Sequence, residues 1–356
     1  MKEYFKCALF DKKDFSITEK FNVIQTELEL QGHMGNEIVF DGKNYLFRNK
    51  KIDYECVWYM QDNWSDQKPT LLIPTRNGKK LIDITIKNLI ETRVSNHANI
   101  IIIDDRSTED IKSSVLNNNL SYLRVDNDRG FNFSMLNNIA AKICYDLGIN
   151  TIILWNSDLW CAKEEWFLDL IKRHDENNST ISGSKLLYPP LRLSINGEED
   201  SENIKHIFPR MLGGKWRETV QFGGSFFINL DRDQLLNYAP NHYLRFGNKD
   251  DPRVNCDKGE NFVTGALQVI NLKWFIENGG LNPSLKKQFQ DVDLCLKALK
   301  SSGRIFYFGK DLYFYHDESF SFYANKDEKK HDAQTASDHI IFGKIWNDLL
   351  EELIFH

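Results

Sequence analysis

Three apolar runs in the first half of the chain are each followed at once by polar side chains that could bind a ligand. These polar groups are Thr75-Arg76-Asn77, Asp104-Asp105 and Asn156-Ser157-Asp158. They offer guanidinium, carboxylate, hydroxyl and amide groups, which hydrogen-bond phosphates and hydroxyls. Ligands of open α/β sheets collect beyond the carboxyl ends of the strands. If the apolar runs are strands, we therefore expect the three groups to converge on one site.

The apolar pattern predicts the elements that would hold these groups. Runs at 70–74, 99–103, 121–125 and 151–155 are short and apolar, as strands buried on both faces are, and amphipathic stretches such as 134–147 separate them. This alternation predicts βαβ units and an α/β fold. Further strands and helices are predicted at 262–270, 273–277, 290–299, 304–308 and 312–315.

Composition limits the class of protein. The 356 residues are 41% hydrophobic and include 24 Phe, 13 Tyr and 8 Trp, which predicts a large core and excludes a disordered chain. The net charge is -6, from 45 Lys+Arg against 51 Asp+Glu, so we expect no nucleic-acid partner. The 6 cysteines include no CxxC pair, which argues against a zinc knuckle or a disulfide scaffold.

Several targeting and nucleotide-binding signals do not occur in the sequence. No apolar run approaches the roughly 18 to 20 residues that span a membrane, and the apolar stretch at the start is too short for a signal peptide. We therefore expect a cytoplasmic protein, with the inner face of the cell membrane as an alternative location. There is no GxGxxG after the first strand and no GxxxxGK[ST], which argues against Rossmann dinucleotide-binding and P-loop enzymes.

Short motifs follow one another in a fixed order along the chain. They lie at 73–78, 103–108, 127–131 with Asn137, 156–158, 264–266, 279–281, 290–294 and His316. In order and spacing this series resembles the family 2 inverting glycosyltransferases of the GT-A fold, from about Thr70 to Ser319. It looks closest to the rhamnosyltransferase-like branch of polysaccharide-building enzymes. The resemblance implies a mixed, mostly parallel α/β sheet flanked by helices.

The first motifs imply a binding site for a nucleoside-diphosphate sugar. By resemblance Asp105 accepts a hydrogen bond from the base, although a turn or capping aspartate is the alternative when the pair is read alone. Arg76 and Arg129 would meet phosphate oxygens, which guanidinium forks suit; solvated surface arginines are the alternative. The implied donor-binding residues are Pro74, Thr75, Arg76, Asn77, Asp105, Arg129 and Asn156.

The motif at 156–158 stands where the family carries Asp-x-Asp, and its first aspartate is replaced by Asn156. A divalent ion held by carboxylate oxygen offsets the charge that develops on a departing diphosphate. We therefore assign Asp158 as a direct ligand of Mn²⁺ or Mg²⁺ and Asn156 as a supporting group. His316 matches the position of a second metal ligand; a structural histidine is the alternative.

The motif at 290–294 implies the catalytic base. By resemblance Asp291 deprotonates the acceptor hydroxyl, whereas carboxylates that favour the first turn of a helix are the simpler interpretation. Gln290, Asp293 and Gly265 are assigned to the acceptor or the sugar, with a helix cap as the alternative for Asp293. Gly265 would allow the backbone to approach the sugars closely, and a strand bulge is its alternative.

The last segment has apolar residues on one helical face, from Ile340 to Ile354. Its polar positions Asp348, Glu351 and Glu352 are acidic, which disfavours binding to anionic lipid but leaves peripheral membrane contact as an alternative. We expect this helix to dock on the chain itself or on a second subunit, which would make a homodimer.

Together these features predict a metal-dependent inverting glycosyltransferase acting on a glycan or lipid-linked glycan acceptor. Surface polysaccharide, capsule or lipopolysaccharide synthesis is the role expected by analogy. Two alternatives stay open, an inactive glycan-binding or scaffold protein with the same fold, and a sugar-nucleotide pyrophosphorylase. The predicted division is an N-terminal β-rich extension at 1–68, the catalytic domain at 69–320 and a C-terminal amphipathic helical segment at 321–356.

Overall fold

A computed structural model of the chain describes residues 2–3, 37–40, 44–48, 53–126, 130–190, 217–230, 236–317 and 328–355. The strands in this part are β1 (Lys2–Glu3), β2 (Glu37–Phe40), β3 (Asn44–Arg48), β4 (Asp53–Met60), β5 (Thr70–Thr75), β6 (Asn99–Asp105), β7 (Ser121–Asp126), β8 (Thr151–Trp155), β9 (Leu159–Trp160), β10 (Ile181–Leu187), β11 (Val220–Phe222), β12 (Ser225–Asn229), β13 (Tyr238–His242), β14 (Asp257–Gly259), β15 (Leu267–Asn271) and β16 (Ile305–His316). The helices are α1 (Lys79–Glu91), α2 (Val94–His97), α3 (Ile111–Asn117), α4 (Phe133–Asp146), α5 (Glu164–Glu176), α6 (Leu272–Glu277), α7 (Gln290–Lys300) and α8 (Glu328–Phe355).

A 14-stranded sheet forms the centre of the described structure. Eleven strands follow the order β14-β16-β10-β15-β8-β5-β6-β7-β4-β3-β2, and β1, β11 and β9 pair beside this path with β4, β10 and β16. Strands β5 to β8 are mutually parallel, and β10 is parallel to β16. Strand β15 is antiparallel to both β8 and β10. The group β5 to β8 and the pair β10 and β16 therefore run in the same direction. From β16 to β7 the sheet is therefore parallel except for β15, and with its flanking helices it confirms the predicted mixed, mostly parallel α/β fold.

Continuous apolar runs became strands because both faces of this sheet are covered. All of β6 is buried, and Ile100 to Ile103 expose no surface at all. The strands predicted at 70–74, 121–125 and 151–155 and the helix at 134–147 are confirmed within one residue. The two strands predicted at 304–308 and 312–315 are instead one strand, β16, whose pairing with β10 shifts register at Ser184 and Lys185.

Two described elements outside 69–320, β4 and α8, contact the rest of this structure. Strand β4 pairs with β7 and extends the sheet beyond its predicted start. Helix α8 buries Phe342, Trp346 and Leu350, spaced four residues apart, in the main core. The helix therefore docks on its own chain, as one of the two predictions for it required. No helix in the described ranges is long and apolar enough to cross a membrane.

Candidate active site

The loops that follow β5 and β6 are joined through Asn77. Its backbone is left-handed at φ 50°, a conformation that asparagine tolerates better than most residues. The Asn77 N–H donates to Ser107 Oγ at 2.9 Å, and Asn77 Oδ1 accepts the Thr108 N–H at 2.8 Å. Thr75, at the end of β5, is 4% exposed. Asn77 thus fixes the predicted donor loop, and its side-chain oxygen is already engaged within the protein.

The adjacent aspartates at the end of β6 have different environments. Asp104 is fully buried and accepts hydrogen bonds from the Ser107 N–H at 2.9 Å and the Tyr122 hydroxyl at 2.6 Å. Burial, and next the Asp104 carboxylate, raise the pKa of Tyr122, which keeps the hydroxyl a donor. Asp105 instead lies 3.2 Å from the Arg76 guanidinium. The second aspartate is therefore the one that faces the predicted donor loop.

Pro74 and Arg129 are the two remaining residues that were predicted to bind the donor. Pro74 is buried within β5. Arg129 lies outside the described residues, so its predicted phosphate contact stays a prediction.

Asp158 and His316 come together because β9 pairs with the end of β16. Leu159 is in register with His316, and this brings Asp158 Oδ1 to 3.1 Å from His316 Nε2. Both side chains are more than nine-tenths buried. The Asn156 side-chain amide lies 3.3 Å from the same imidazole nitrogen. The structure thus brings together the three residues that the sequence associates with a metal ion.

The donor set of this cluster suits a divalent cation. Carboxylate oxygen and imidazole nitrogen are both ligands of Mn²⁺, and carboxylate is preferred by Mg²⁺. In the part of the chain that the structure describes, no group of three or more His, Cys, Asp or Glu side chains could hold a metal ion. Asp158 and His316 supply one carboxylate and one imidazole, two of the ligand types that such a cation takes.

Asp291 lies at the start of α7, where both carboxylate oxygens accept backbone hydrogen bonds. Oδ2 accepts the Gly265 N–H at 2.6 Å, and Oδ1 accepts the Val292 N–H at 2.9 Å. A Cβ on residue 265 would lie 3.0 Å from the Asp291 Cβ. Because residue 265 is a glycine, its backbone can lie close to the side chain of the predicted base.

The surroundings of Asp291 act on its pKa in opposite directions. Burial raises its pKa, and the hydrogen bonds from Gly265 and Val292 and the nearby His242 oppose that rise. A raised pKa strengthens the affinity of a carboxylate for a proton. His242 lies within 192–260, where the sequence has little helical or strand periodicity. No motif or spacing pointed to it.

A backbone hydrogen bond connects the loop at 156–158 to the segment that contacts Asp291. Strand β15 pairs with β8, and the Asn156 N–H donates to the Ala266 carbonyl at 3.0 Å. Gly265, which holds Asp291, is therefore next to the residue bonded to the Asn156-Asp158 loop. The predicted metal ligands and the predicted base lie at the same edge of the sheet.

Asp293 has a different place from the one predicted. It is fully buried, accepts the Trp346 indole N–H at 2.9 Å and lies 2.9 Å from Lys297 Nζ. Its carboxylate therefore links α7 to α8, and we do not assign it to the acceptor. Gln290, the first residue of α7, is 8% exposed beside Asp291.

Comparison with known proteins gives one family match and several structural similarities. Residues 70–230 match the family model described as glycosyl transferase family 2. No curated protein matches the chain. GalNAc-T7 with UDP, GalNAc and Mn²⁺ is similar in structure with 13% identity and a TM-score of 0.49, over 89% of this chain and 56% of that chain.

Two other solved structures show similarity at the same level. S. aureus TarS 1-349 in complex with UDP-GlcNAc has 16% identity and a TM-score of 0.44, over 82% of this chain and 76% of that chain. The mannosyltransferase PcManGT from Pyrobaculum calidifontis, in complex with GDP-Man and Mn²⁺, has 12% identity and a TM-score of 0.42, over 82% and 74%. The segment at 70–230, which carries β5 to β10 and the Asp105 and Asp158 loops, thus matches a glycosyl transferase family 2 domain.

Proposed function

We propose that this chain is a metal-dependent inverting glycosyltransferase that moves a hexosyl or deoxyhexosyl group from a nucleoside-diphosphate sugar to a hydroxyl of a glycan. The observation that carries the proposal is the bond from the Asn156 N–H to the Ala266 carbonyl. This bond joins the loop that carries Asp158 to the residue after Gly265, whose N–H donates to Asp291. Donor activation and acceptor deprotonation then occur side by side.

The donor would lie across the loops after β5 and β6. The Asp105 carboxylate only accepts hydrogen bonds, so it suits the N–H donors that a nucleotide base presents. Arg76 is about one-third exposed and uses one of its five N–H donors on Asp105. Its other donors can serve a phosphate oxygen.

Asp158 and His316 would hold the divalent ion, with the Asn156 side chain beside them as a supporting group. When bound, the ion neutralises charge on the departing diphosphate. His316 closes β16 and Asp158 precedes β9, so the backbone pairing fixes the separation of the two side chains before any ligand binds. This preorganisation lowers the entropy lost on binding.

Asp291 would act as the general base. Its carboxylate takes the proton from the acceptor hydroxyl as that oxygen attacks the anomeric carbon. The bond between the anomeric carbon and the diphosphate oxygen breaks, and the nucleoside diphosphate leaves with the bonding electrons. Attack opposite the leaving group inverts the configuration in a single displacement. The N–H groups of Gly265 and Val292 hold the carboxylate during this step.

The identity of the acceptor rests on the sequence resemblance. We propose a growing glycan of a surface polysaccharide, capsule or lipopolysaccharide, made in the cytoplasm at or near the membrane by an enzyme of the rhamnosyltransferase-like branch. Residues 69–320 would form the catalytic domain. Since β4 and α8 pack against its sheet and core, we expect them to be needed for its stability.

Calorimetry with nucleoside diphosphates tests this function without knowledge of the acceptor. We expect at least one of UDP, TDP, GDP and CDP to bind about tenfold or more tightly with Mn²⁺ than without it. Asp105→Ala should weaken binding of the preferred nucleotide, whereas the surface variant Asp83→Ala should not. Equal affinity for every nucleotide with and without Mn²⁺ would contradict the proposal.

A further inference from the structure

The loop that leads into the catalytic helix is held by one carboxylate of the C-terminal helix. Asp338 of α8 is completely buried. Its oxygens accept the backbone N–H groups of Lys286 at 3.2 Å, Lys287 at 2.9 Å and Gln288 at 3.0 Å. Hydrogen bonds to an ionised acceptor are about twice as strong as those between neutral groups. Three of them on consecutive residues fix the path of the chain just before α7.

The residue at the start of α7 has a backbone conformation that needs such support. Phe289 is left-handed at φ 66°, a backbone conformation that is unfavourable for a residue with a Cβ. Its ring packs against His339 and Phe342 of α8, with centroids 4.9 Å and 4.7 Å away. The Phe289 carbonyl accepts the Asp293 N–H at 2.8 Å. Phe289 therefore sets the direction in which α7 begins, two residues before Asp291.

Helix α8 also holds the first turn of α7 and the neighbouring hairpin. The Trp346 indole N–H donates to Asp293 Oδ1 at 2.9 Å. Asn347 Oδ1 accepts the Asn237 N–H at 2.9 Å, next to strand β13, which ends at His242. The same helix thus contacts the loop before Asp291, the turn that contains it, and the strand that brings His242 near it.

We propose that Asp338 is a positioning residue for Asp291, and that the docked C-terminal helix aligns the base with the acceptor. This inference rests on the proposed function, since it assigns Asp338 a role through the proposed base. The donor-side loops take their contacts from other elements: Asn77 from the loop after β6, and Asp158 from the end of β16. Loss of the Asp338 contacts should therefore affect acceptor chemistry and leave donor binding unchanged.

Asp338→Asn tests the role with little change of shape. An amide keeps one acceptor oxygen but turns an N–H₂ group toward backbone donors, so the three bonds cannot all persist. We expect turnover to fall about 10- to 100-fold, with the donor KM and the calorimetric nucleotide affinity within about twofold of the parent. Hydrogen exchange should accelerate in peptides that cover 286–291 and stay unchanged at 75–78.

A double-mutant cycle separates positioning from general damage. In the Asp291→Asn background, Asp338→Asn should cause little further loss of turnover, because its effect passes through the carboxylate that is already absent. An equal fold-loss in both backgrounds would overturn the proposal. So would an Asp338→Asn enzyme that turns over within twofold of the parent.

Two further variants keep the test decisive. If Asp338→Asn does not fold, Trp346→Phe removes one hydrogen bond to Asp293 while it retains an aromatic ring, and the same split between turnover and donor affinity is expected. Asp257→Asn is the matched control, since Asp257 accepts the N–H groups of Gly309 and Lys310, both at 3.0 Å, at the edge of the sheet. It should lower stability and leave turnover unchanged below its melting temperature.

The outcomes also distinguish this inference from the proposed function. A parent protein that neither binds nucleotide with Mn²⁺ nor transfers sugar contradicts the function itself. An active parent that loses turnover in Asp291→Asn but keeps it in Asp338→Asn contradicts only the positioning role. Unchanged exchange at 286–291 in Asp338→Asn would show that the helix does not hold the loop and would overturn the inference independently of activity.

Discussion

The backbone N–H of Gly265 donates to Asp291 Oδ2 at 2.6 Å, across 26 residues of sequence. This contact is possible because residue 265 has no Cβ, which would lie 3.0 Å from the Asp291 Cβ and 3.4 Å from its Cγ. The glycine at the end of one motif and the carboxylate at the start of another therefore form one unit. Their relationship motivates the first prediction.

Gly265→Ala should displace the Asp291 side chain by a few tenths of an ångström or more. Misplacement of a catalytic group by about 1 Å can lower turnover about 100-fold, so we expect a loss of about 10- to 100-fold with nucleotide affinity unchanged. Steady-state kinetics and calorimetry on the same preparation measure both. Gly259→Ala is a suitable control, because the nearest atom to a Cβ there, the Ile305 carbonyl oxygen, is 3.9 Å away. Full activity of Gly265→Ala would refute the link.

The raised pKa of Asp291 predicts the acid limb of the pH–rate profile. A protonated carboxylate cannot accept the acceptor's proton, so activity falls as pH falls through the pKa of Asp291. We expect this limb above 3.8, the ordinary value for aspartate. The positive charge of His242 opposes the effect of burial, so His242→Gln should move the limb to higher pH. An unchanged limb would show that His242 does not influence the base.

Asp158→Ala and His316→Ala should each abolish most of the Mn²⁺-dependent part of nucleotide affinity. Mutation of a residue that only hydrogen-bonds a metal ligand lowers metal affinity about 10- to 100-fold. We expect at least that loss when a ligand itself is removed. The fold should persist because β9 and β16 pair through their backbones. Calorimetry with and without Mn²⁺ measures the affinities, and circular dichroism checks the fold. A metal effect that survives in Asp158→Ala would move the ligand elsewhere.

Leu350→Ala should destabilise the protein without changing its mass in solution. Leu350 is fully buried in the main core, and removal of a buried leucine side chain costs about 2 to 5 kcal/mol. Ile340→Ala, on the same helix but 40% exposed, should be close to neutral. Thermal unfolding and light scattering provide the measurements. A dimeric parent that dissociates in Leu350→Ala would instead support the predicted homodimer.

The sequence predicted those parts of the fold that local pattern determines. Strands β5 to β8 are continuous apolar runs, and the polar residues that follow them meet at one edge because parallel strands share a carboxyl end. The pairing of Asp158 with His316 was expected only from the family resemblance. Its physical cause is the register of two strands whose residues are more than 150 positions apart, which periodicity cannot predict.

The parts that were missed depend on contacts between distant segments. Asp293 looked like a second functional carboxylate in the first turn of a helix, and its true partners, Trp346 and Lys297, were not apparent from the motif. In the sequence, Asp338 is a polar residue of an amphipathic helix and would be expected to face solvent. Its contact with Lys286 to Gln288 is visible only in the structure. His242 follows an aperiodic stretch of sequence. The contacts of these three residues come from tertiary packing, which the spacing of residue types in the sequence does not predict.

Release of nucleoside diphosphate from a panel of nucleotide sugars tests the central claim most directly, with parent and Asp291→Asn compared in Mn²⁺. We expect Mn²⁺-dependent release by the parent on at least one donor. Asp291→Asn should be slower by about 10² to 10⁴-fold, the usual worth of general-base catalysis, with parental nucleotide affinity. Absence of release on every donor, or an Asp291→Asn enzyme within a few fold of the parent, would contradict the account.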